Sequence, residues 1–285
     1  MESQVKKSTD TFHLVLGAGG ARGLAHIPVL ETLDELGLRP ANIVGASIGS
    51  VIGACYAGGM SGKDIRQFIL ELASKKTTVA TAVISVRLGR FKNGNPLLLD
   101  GEKLLSRFWP TTVPRQFEEL DIPLHAVATD FHARDQLVFT KGELLPAIAA
   151  SIAIPGAFKP VHYQERILID GGTINPLPFD IIGSEKDFTI AVDVTGGPHA
   201  EVSQSPNGFA IMFGSLQLLQ GAIITEKLKS RKPDILLKPD VDHFRMLDFF
   251  AAQKVLTASE AIKDTLKRQI ELSLKEKPQR INSMA

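Results

Sequence analysis

The chain has one cysteine, Cys55, in 285 residues, which excludes an intrachain disulfide framework and a cysteine-based zinc site and suits a reducing compartment. It has almost no net charge. The 32 basic and 31 acidic side chains leave +1, so no global attraction to nucleic acid or to an anionic membrane is expected. No stretch of about 18 uninterrupted apolar residues occurs, and a spanning helix is not expected. Residues 1–11 are polar, with Lys6-Lys7, and no apolar segment of the kind a signal peptide needs follows them. These absences predict a cytoplasmic protein. Internal repeats and a dividing linker are also missing, so a single domain is expected over 12–275, between a disordered arm at 1–11 and a flexible tail at 276–285. What is present, 44% hydrophobic and 22% charged residues, is an ordinary globular composition with material for a sizeable core.

Phe12 to Leu16 reads as a buried strand, closed by the glycine-rich turn Gly17 to Gly23. Apolar residues then recur at Leu24, Ile27, Leu30, Leu33 and Leu36, which predicts a helix over 22–36 ended by Gly37. A second strand and a tight turn follow at 42–49, then a helix of small and apolar residues over 50–57. Strand, helix, strand, helix in so short a span implies parallel pairing through right-handed crossovers. Helices are further predicted over 61–74, with Asp64 in an acidic first turn, over 207–231, and over 247–275, where residues from Leu247 to Leu274 keep near-helical apolar spacing. Strands are expected at 122–130, 135–140 and 188–194, with a hairpin over 161–169. Residues 77–99 lack a clear period and contain Gly89, Gly94 and Pro96, as either a lid or a surface excursion would. The fold class expected is α/β, a mainly parallel central sheet with helices on both faces.

Gly45-Ala46-Ser47-Ile48-Gly49 has the form of a serine nucleophile on a strand-to-helix elbow. Its hydroxyl would project above the sheet over a helix N-terminus, and the flanking Gly45 and Gly49 let the chain turn without a Cβ clash. The turn Gly17-Ala18-Gly19-Gly20-Ala21-Arg22-Gly23 lies between a strand and a helix. Its amides could therefore form an oxyanion site at the positive end of a helix dipole, beside Ser47. A dinucleotide fingerprint fits it less well: Arg22 stands where the third glycine belongs, and no acidic residue ends the second strand. Asp170, at the tip of Ile167-Leu168-Ile169 and before Gly171-Gly172, reads alone as a turn former. Beside the other two motifs it reads as the base, its pKa raised in a partly desolvated cleft. A histidine base would be His199 or His243, both expected on the surface, while His26 and His125 fall in structural positions. Cys55 reads as a packed core thiol.

Together these residues resemble the patatin-like phospholipase family. The glycine-rich oxyanion motif matches at Ala18 to Gly23, the elbow at Gly45 to Gly49, the Asp-Gly-Gly motif at Asp170 to Gly172, and an Ala-Ser…Pro…Phe-x-Pro block at Ala150 to Pro160. The likeness spans a core of about 12–194 and weakens over the helical part at 205–275. Ala18 departs from the family's first glycine, so it must avoid a strongly positive φ, with Gly17 taking the flexible role. The resemblance implies a three-layer fold and a Ser–Asp acyl hydrolase without metal or organic cofactor. In it Ser47 attacks a fatty-acyl ester of a phospholipid or lysophospholipid, Asp170 moves the proton, and the Gly19, Gly20 and Ala21 amides hold the oxyanion. Arg22 would anchor its loop or meet a lipid phosphate. Two other readings stay open: a non-catalytic adaptor docking through its C-terminal helix, and a Ser-His-Asp esterase. The apolar run from Phe209 to Ile224 is expected to be buried on the sheet for the most part, with peripheral membrane contact or a lid as the alternative, and Phe249-Phe250 shares that ambiguity. No nucleic-acid partner is expected, and the sequence leaves the oligomeric state undetermined.

Overall fold

The structure, a computed structural model, describes residues 12–75, 98–182, 187–197 and 208–276. Eight strands form one sheet: β1 (Phe12–Leu16), β2 (Asn42–Ala46), β3 (Leu124–Asp130), β4 (Asp135–Phe139), β5 (Val161–Tyr163), β6 (Arg166–Asp170), β7 (Phe188–Val192) and β8 (Ile235–Leu237). Their order is β5-β6-β3-β2-β1-β7-β8, with β4 also paired to β3. The β1–β2, β2–β3, β1–β7 and β7–β8 pairs are parallel, and the pairs of β3 with β4 and β6 and of β5 with β6 are antiparallel. Central parallel strands are covered on both faces, which is why β1 and β2 are apolar apart from His13 and Asn42 near their starts.

Alternate residues feed two cores. Leu14, Leu16, Ile43 and Ala126 join the larger one, built with α1 (His26–Glu35), α2 (Ile48–Ala57), α3 (Gly62–Ser74), α4 (Gly101–Phe108), α5 (Leu144–Ser151), α7 (Ala252–Ser259) and α8 (Ile262–Glu276). Val15, Val44, Val127 and Ala191 face the other way, under Leu177, Phe179 and Ile224 of α6 (Gly208–Ser230). The expected α/β architecture of helices on both faces of a mainly parallel sheet is present. Local signals also act as expected. Gly37 ends α1 at φ +65°, with Leu38 N–H returning to the Leu33 carbonyl. Ser61 and Asp64 form a reciprocal capping box on α3.

Several expectations need correction. The helix over 22–36 begins as a 3-10 turn, Gly20–Ala25. The long helix over 247–275 is in three pieces: a 3-10 turn at Phe249–Ala251, then α7 and α8. The break follows Ser259, whose hydroxyl turns back to the Val255 and Leu256 carbonyls. The apolar period survives it because Val255, Leu256, Ile262 and Leu266 enter one core. Burial of the apolar run on the sheet fails along the first half of α6, where Ile211, Met212, Leu218 and Leu219 are exposed. α4, α5 and β8 have no counterpart among the elements expected from the sequence. The 77–99 stretch lies outside the described residues except at its end, where Leu99 pairs with Phe158.

Candidate active site

β3 is the strand on which the site is assembled. β4 runs along one edge of it, from Ala126 to Asp130. On the opposite edge β2 pairs up to Ala46↔Val127, and β6 arrives from the other direction with Asp170↔Ala128. The two strands therefore abut end to end against consecutive β3 residues. At that seam Ser47 Oγ donates to Asp170 Oδ2 at 2.5 Å.

Ser47 caps α2 at φ 54°, ψ −125°, a conformation that costs a non-glycine residue about 1–3 kcal/mol and is typical of a nucleophile elbow. The geometry is held from several sides. A Cβ on Gly49 would collide with the Leu16 carbonyl, and one on Gly171 with the Val127 carbonyl, so only glycine lets α2 and the Asp170 turn approach the sheet this closely. Ser47 N–H donates to Ser151 Oγ at 3.0 Å, and that hydroxyl donates to the Val127 carbonyl at 2.6 Å. The Asp170 N–H reaches the Ala153 carbonyl at 3.0 Å. The C-terminal end of α5 thus grips both residues. The sequence places Ser151 in the Ala-Ser block that begins at Ala150 but assigns it no role; its part in holding the elbow is seen only in the fold.

Asp170 is fully buried, and desolvation pushes its carboxyl up to about 7 against the opposing pull of the Ser47 hydroxyl and the Gly172 N–H, which donates to Oδ1 at 2.7 Å. Gly172 also offers its carbonyl to Gln220 Nε2 of α6 at 3.0 Å.

The glycine-rich turn sits beside the elbow because β1 and β2 are neighbours, Leu16 pairing with Gly45. The positive φ of the turn falls at Gly20, at 60°, and neither Gly17 nor Ala18 adopts one. The expected sharing of flexibility by Gly17 is therefore corrected. Three amides of the turn are occupied: Gly17 donates to Val192, Ala18 to Pro176 and Ala21 to Met246, at 3.0, 2.8 and 2.7 Å. Ala21 consequently does not join the expected set of free donors. Among the described residues no backbone carbonyl takes the Gly19 or Gly20 amide. Buried Arg22 donates Nε to the Gly19 carbonyl at 3.3 Å. That carbonyl belongs to the same planar peptide as the Gly20 N–H, so the contact fixes the direction in which the N–H points. Desolvation lowers the guanidinium to about 10 despite Asp242 and Asp193 nearby. Arg22 does not line the pocket described next.

Ser47 and Gly20 border a pocket of about 350 Å³ whose other walls are apolar, among them Ile48, Val51, Phe68, Leu105 and Trp109. Cys55 lines it too, its buried thiol pushed up to about 12 and so neutral. His26 is buried, with Nε2 set 2.9 Å from the Gly17 carbonyl and the ring held neutral by desolvation, its pKa near 4. His243 is exposed and packs on Phe244. His199 lies outside the described residues. No described histidine hydrogen-bonds to Ser47 or Asp170.

The family model for patatin-like phospholipases matches residues 14–182, over half of the chain. An uncharacterized NTE family protein of Mycobacterium tuberculosis is 39% identical over 184 residues, covering 64% of this chain and 49% of that protein. Patatin-like phospholipase domain-containing protein 6 of Homo sapiens is 30% identical over 265 residues, covering 84% of this chain and 19% of its own length. The chain thus spans about half or less of the curated relatives it matches. Among solved structures, ExoU of Pseudomonas aeruginosa in its complex with SpcU aligns at TM-score 0.49 and 15% identity, over 94% of this chain and 53% of that one. VipD of Legionella pneumophila aligns at 0.48 and 12%, over 90% and 67%. By the extent of the family match, which takes in the elbow, the glycine-rich turn and the Asp-Gly-Gly turn, this chain belongs to the patatin-like phospholipase family.

Proposed function

We propose that the chain is a lipid acyl hydrolase working through a Ser47–Asp170 dyad on fatty-acyl esters of phospholipids or lysophospholipids. The observation that carries this reading is the 2.5 Å contact of Ser47 Oγ with a buried carboxylate at the edge of an apolar pocket. Asp170, raised to about 7, is matched to accepting a proton near neutral pH. Ser47 Oγ attacks the ester carbonyl as its proton passes to Asp170. The tetrahedral oxyanion is held by the Gly19 and Gly20 amides, with the N-terminus of α2 beneath. Collapse expels the alcohol, which takes the proton from Asp170 and leaves an acyl-Ser47. Asp170 then accepts a proton from water as the hydroxide adds to the acyl carbonyl. The second collapse releases the fatty acid, and Ser47 Oγ recovers its proton.

Arg22 acts by orienting the Gly19–Gly20 peptide. Exposed apolar side chains on α6 and at Leu247, Phe249 and Phe250 support contact with the lipid surface that presents the substrate.

A fluorophosphonate reagent tests the assignment. Labelling of the wild type that vanishes in Ser47→Ala is expected, and Asp170→Asn should lower ester turnover at least about a hundredfold. Folded wild type that takes no label would favour an adaptor on the same scaffold. Turnover retained in Asp170→Asn would remove the base assignment.

A further inference from the structure

We propose that α2 is the ruler of the acyl chain: the substrate's hydrocarbon lies along the face formed by Ile48, Val51, Ile52 and Cys55, and the residue at position 55 sets how long a chain fits. This deepens the acyl-hydrolase reading and rests on it. The four positions are spaced three, one and three residues apart, which places them on one side of a helix. All four border the pocket that Ser47 opens into. The helix that presents the nucleophile therefore also forms a wall leading away from it.

The spacing sets a length. At 1.5 Å rise per residue, the axial distance from Ser47 to Cys55 is about 12 Å. A staggered hydrocarbon with bonds of ~1.5 Å advances about 1.25 Å per carbon, so about ten carbons cover that rise. The cavity of about 350 Å³ is near the small end of the ~300–1,000 Å³ usual for ligand sites, room for one chain. Cys55 is suited to its place because a neutral buried thiol behaves as a small apolar group. Phe68 and Leu72 of α3 border the cavity as well. A larger side chain at 55 takes the space of the distal carbons.

The experiment is a series of p-nitrophenyl esters from butyrate through octanoate to palmitate, read as ratios of kcat/KM to that for butyrate. Cys55→Phe should lower the palmitate ratio at least tenfold while the octanoate ratio falls far less. Val51→Phe, one turn nearer the nucleophile and only partly buried, should lower the octanoate ratio as well. Cys55→Leu adds less bulk and is measured in parallel as the variant best able to fold; it should move the palmitate ratio in the same direction. Unchanged ratios in the folded variants, with turnover still dependent on Ser47, overturn the ruler and leave the hydrolase reading standing. No Ser47-dependent turnover of any ester overturns the hydrolase reading itself.

Discussion

Ser151 illustrates how a residue that touches only the backbone of the nucleophile can control it. Its hydroxyl accepts a hydrogen bond from the Ser47 N–H and donates one to the Val127 carbonyl. Removal strands two buried backbone groups at about 1–3 kcal/mol each, and it frees an elbow whose φ is positive without glycine. Misplacement of a reacting atom by about 1 Å can cost a hundredfold. Ser151→Ala is accordingly expected to lower kcat about ten- to a hundredfold with KM nearly unmoved, and Ser151→Thr to recover part of the loss. Steady-state kinetics on one soluble ester decide it, since equal changes in kcat and KM would mark a general loosening instead. Other residues were more legible. Ser47 could be named from its elbow motif, whereas Asp170, a turn former when read alone, could be named only beside the elbow and the glycine-rich turn. The fate of the Ala21 amide was not legible, because its acceptor is the Met246 carbonyl and no pattern in the chain links positions 21 and 246.

At the scale of elements, α6 breaks the usual rule for surface helices. From Gly208 to Thr225 it carries no Asp, Glu, Lys or Arg, yet Leu218 is 76% and Leu219 63% exposed. Sequence periodicity could not foresee this, because a helix apolar on all sides normally signals burial. Among the described residues no helix is long and apolar enough to cross a membrane; the exposed leucines are what support the proposed contact with a lipid surface. Each leucine withdrawn from water contributes about 1.5–3 kcal/mol, so Leu218→Ser with Leu219→Ser should weaken partition to phosphatidylcholine vesicles at least about tenfold. Co-sedimentation measures this, and equal pelleting of wild type and double variant would reject it. The strands were easier to read than the C-terminal helices. A parallel strand announces itself by a short, largely apolar run, whereas the gap between α7 and α8 follows Ser259, whose hydroxyl bonds back into α7, and leaves the apolar period intact.

For the whole molecule, the site is a destabilising element that the rest of the fold must offset. The carboxyl of Asp170 titrates near 7 when folded against an ordinary 3.8. Between those values the native state keeps a proton that the unfolded chain has released, so stability declines as pH rises through that window. Above it the full penalty of a buried carboxylate is present. Asp170→Asn should therefore melt higher than wild type at about pH 8, and the advantage should shrink toward about pH 4. Thermal melts across that range test the sign, and a variant less stable than wild type at high pH would refute it. The offsetting term is apolar burial in the two cores, while the ion pairs of buried Glu31 with Arg66 at 2.5 Å and Lys263 at 2.6 Å link α1, α3 and α8.

The meeting of β2 and β6 on one edge of β3 also has a consequence in time. The serine and its carboxylate lie 123 positions apart in the chain, and β6 can take its place only after β3 has been laid down. On the proposed dyad, a polypeptide that ends before Asp170 would carry the hydroxyl without the carboxylate meant to take its proton.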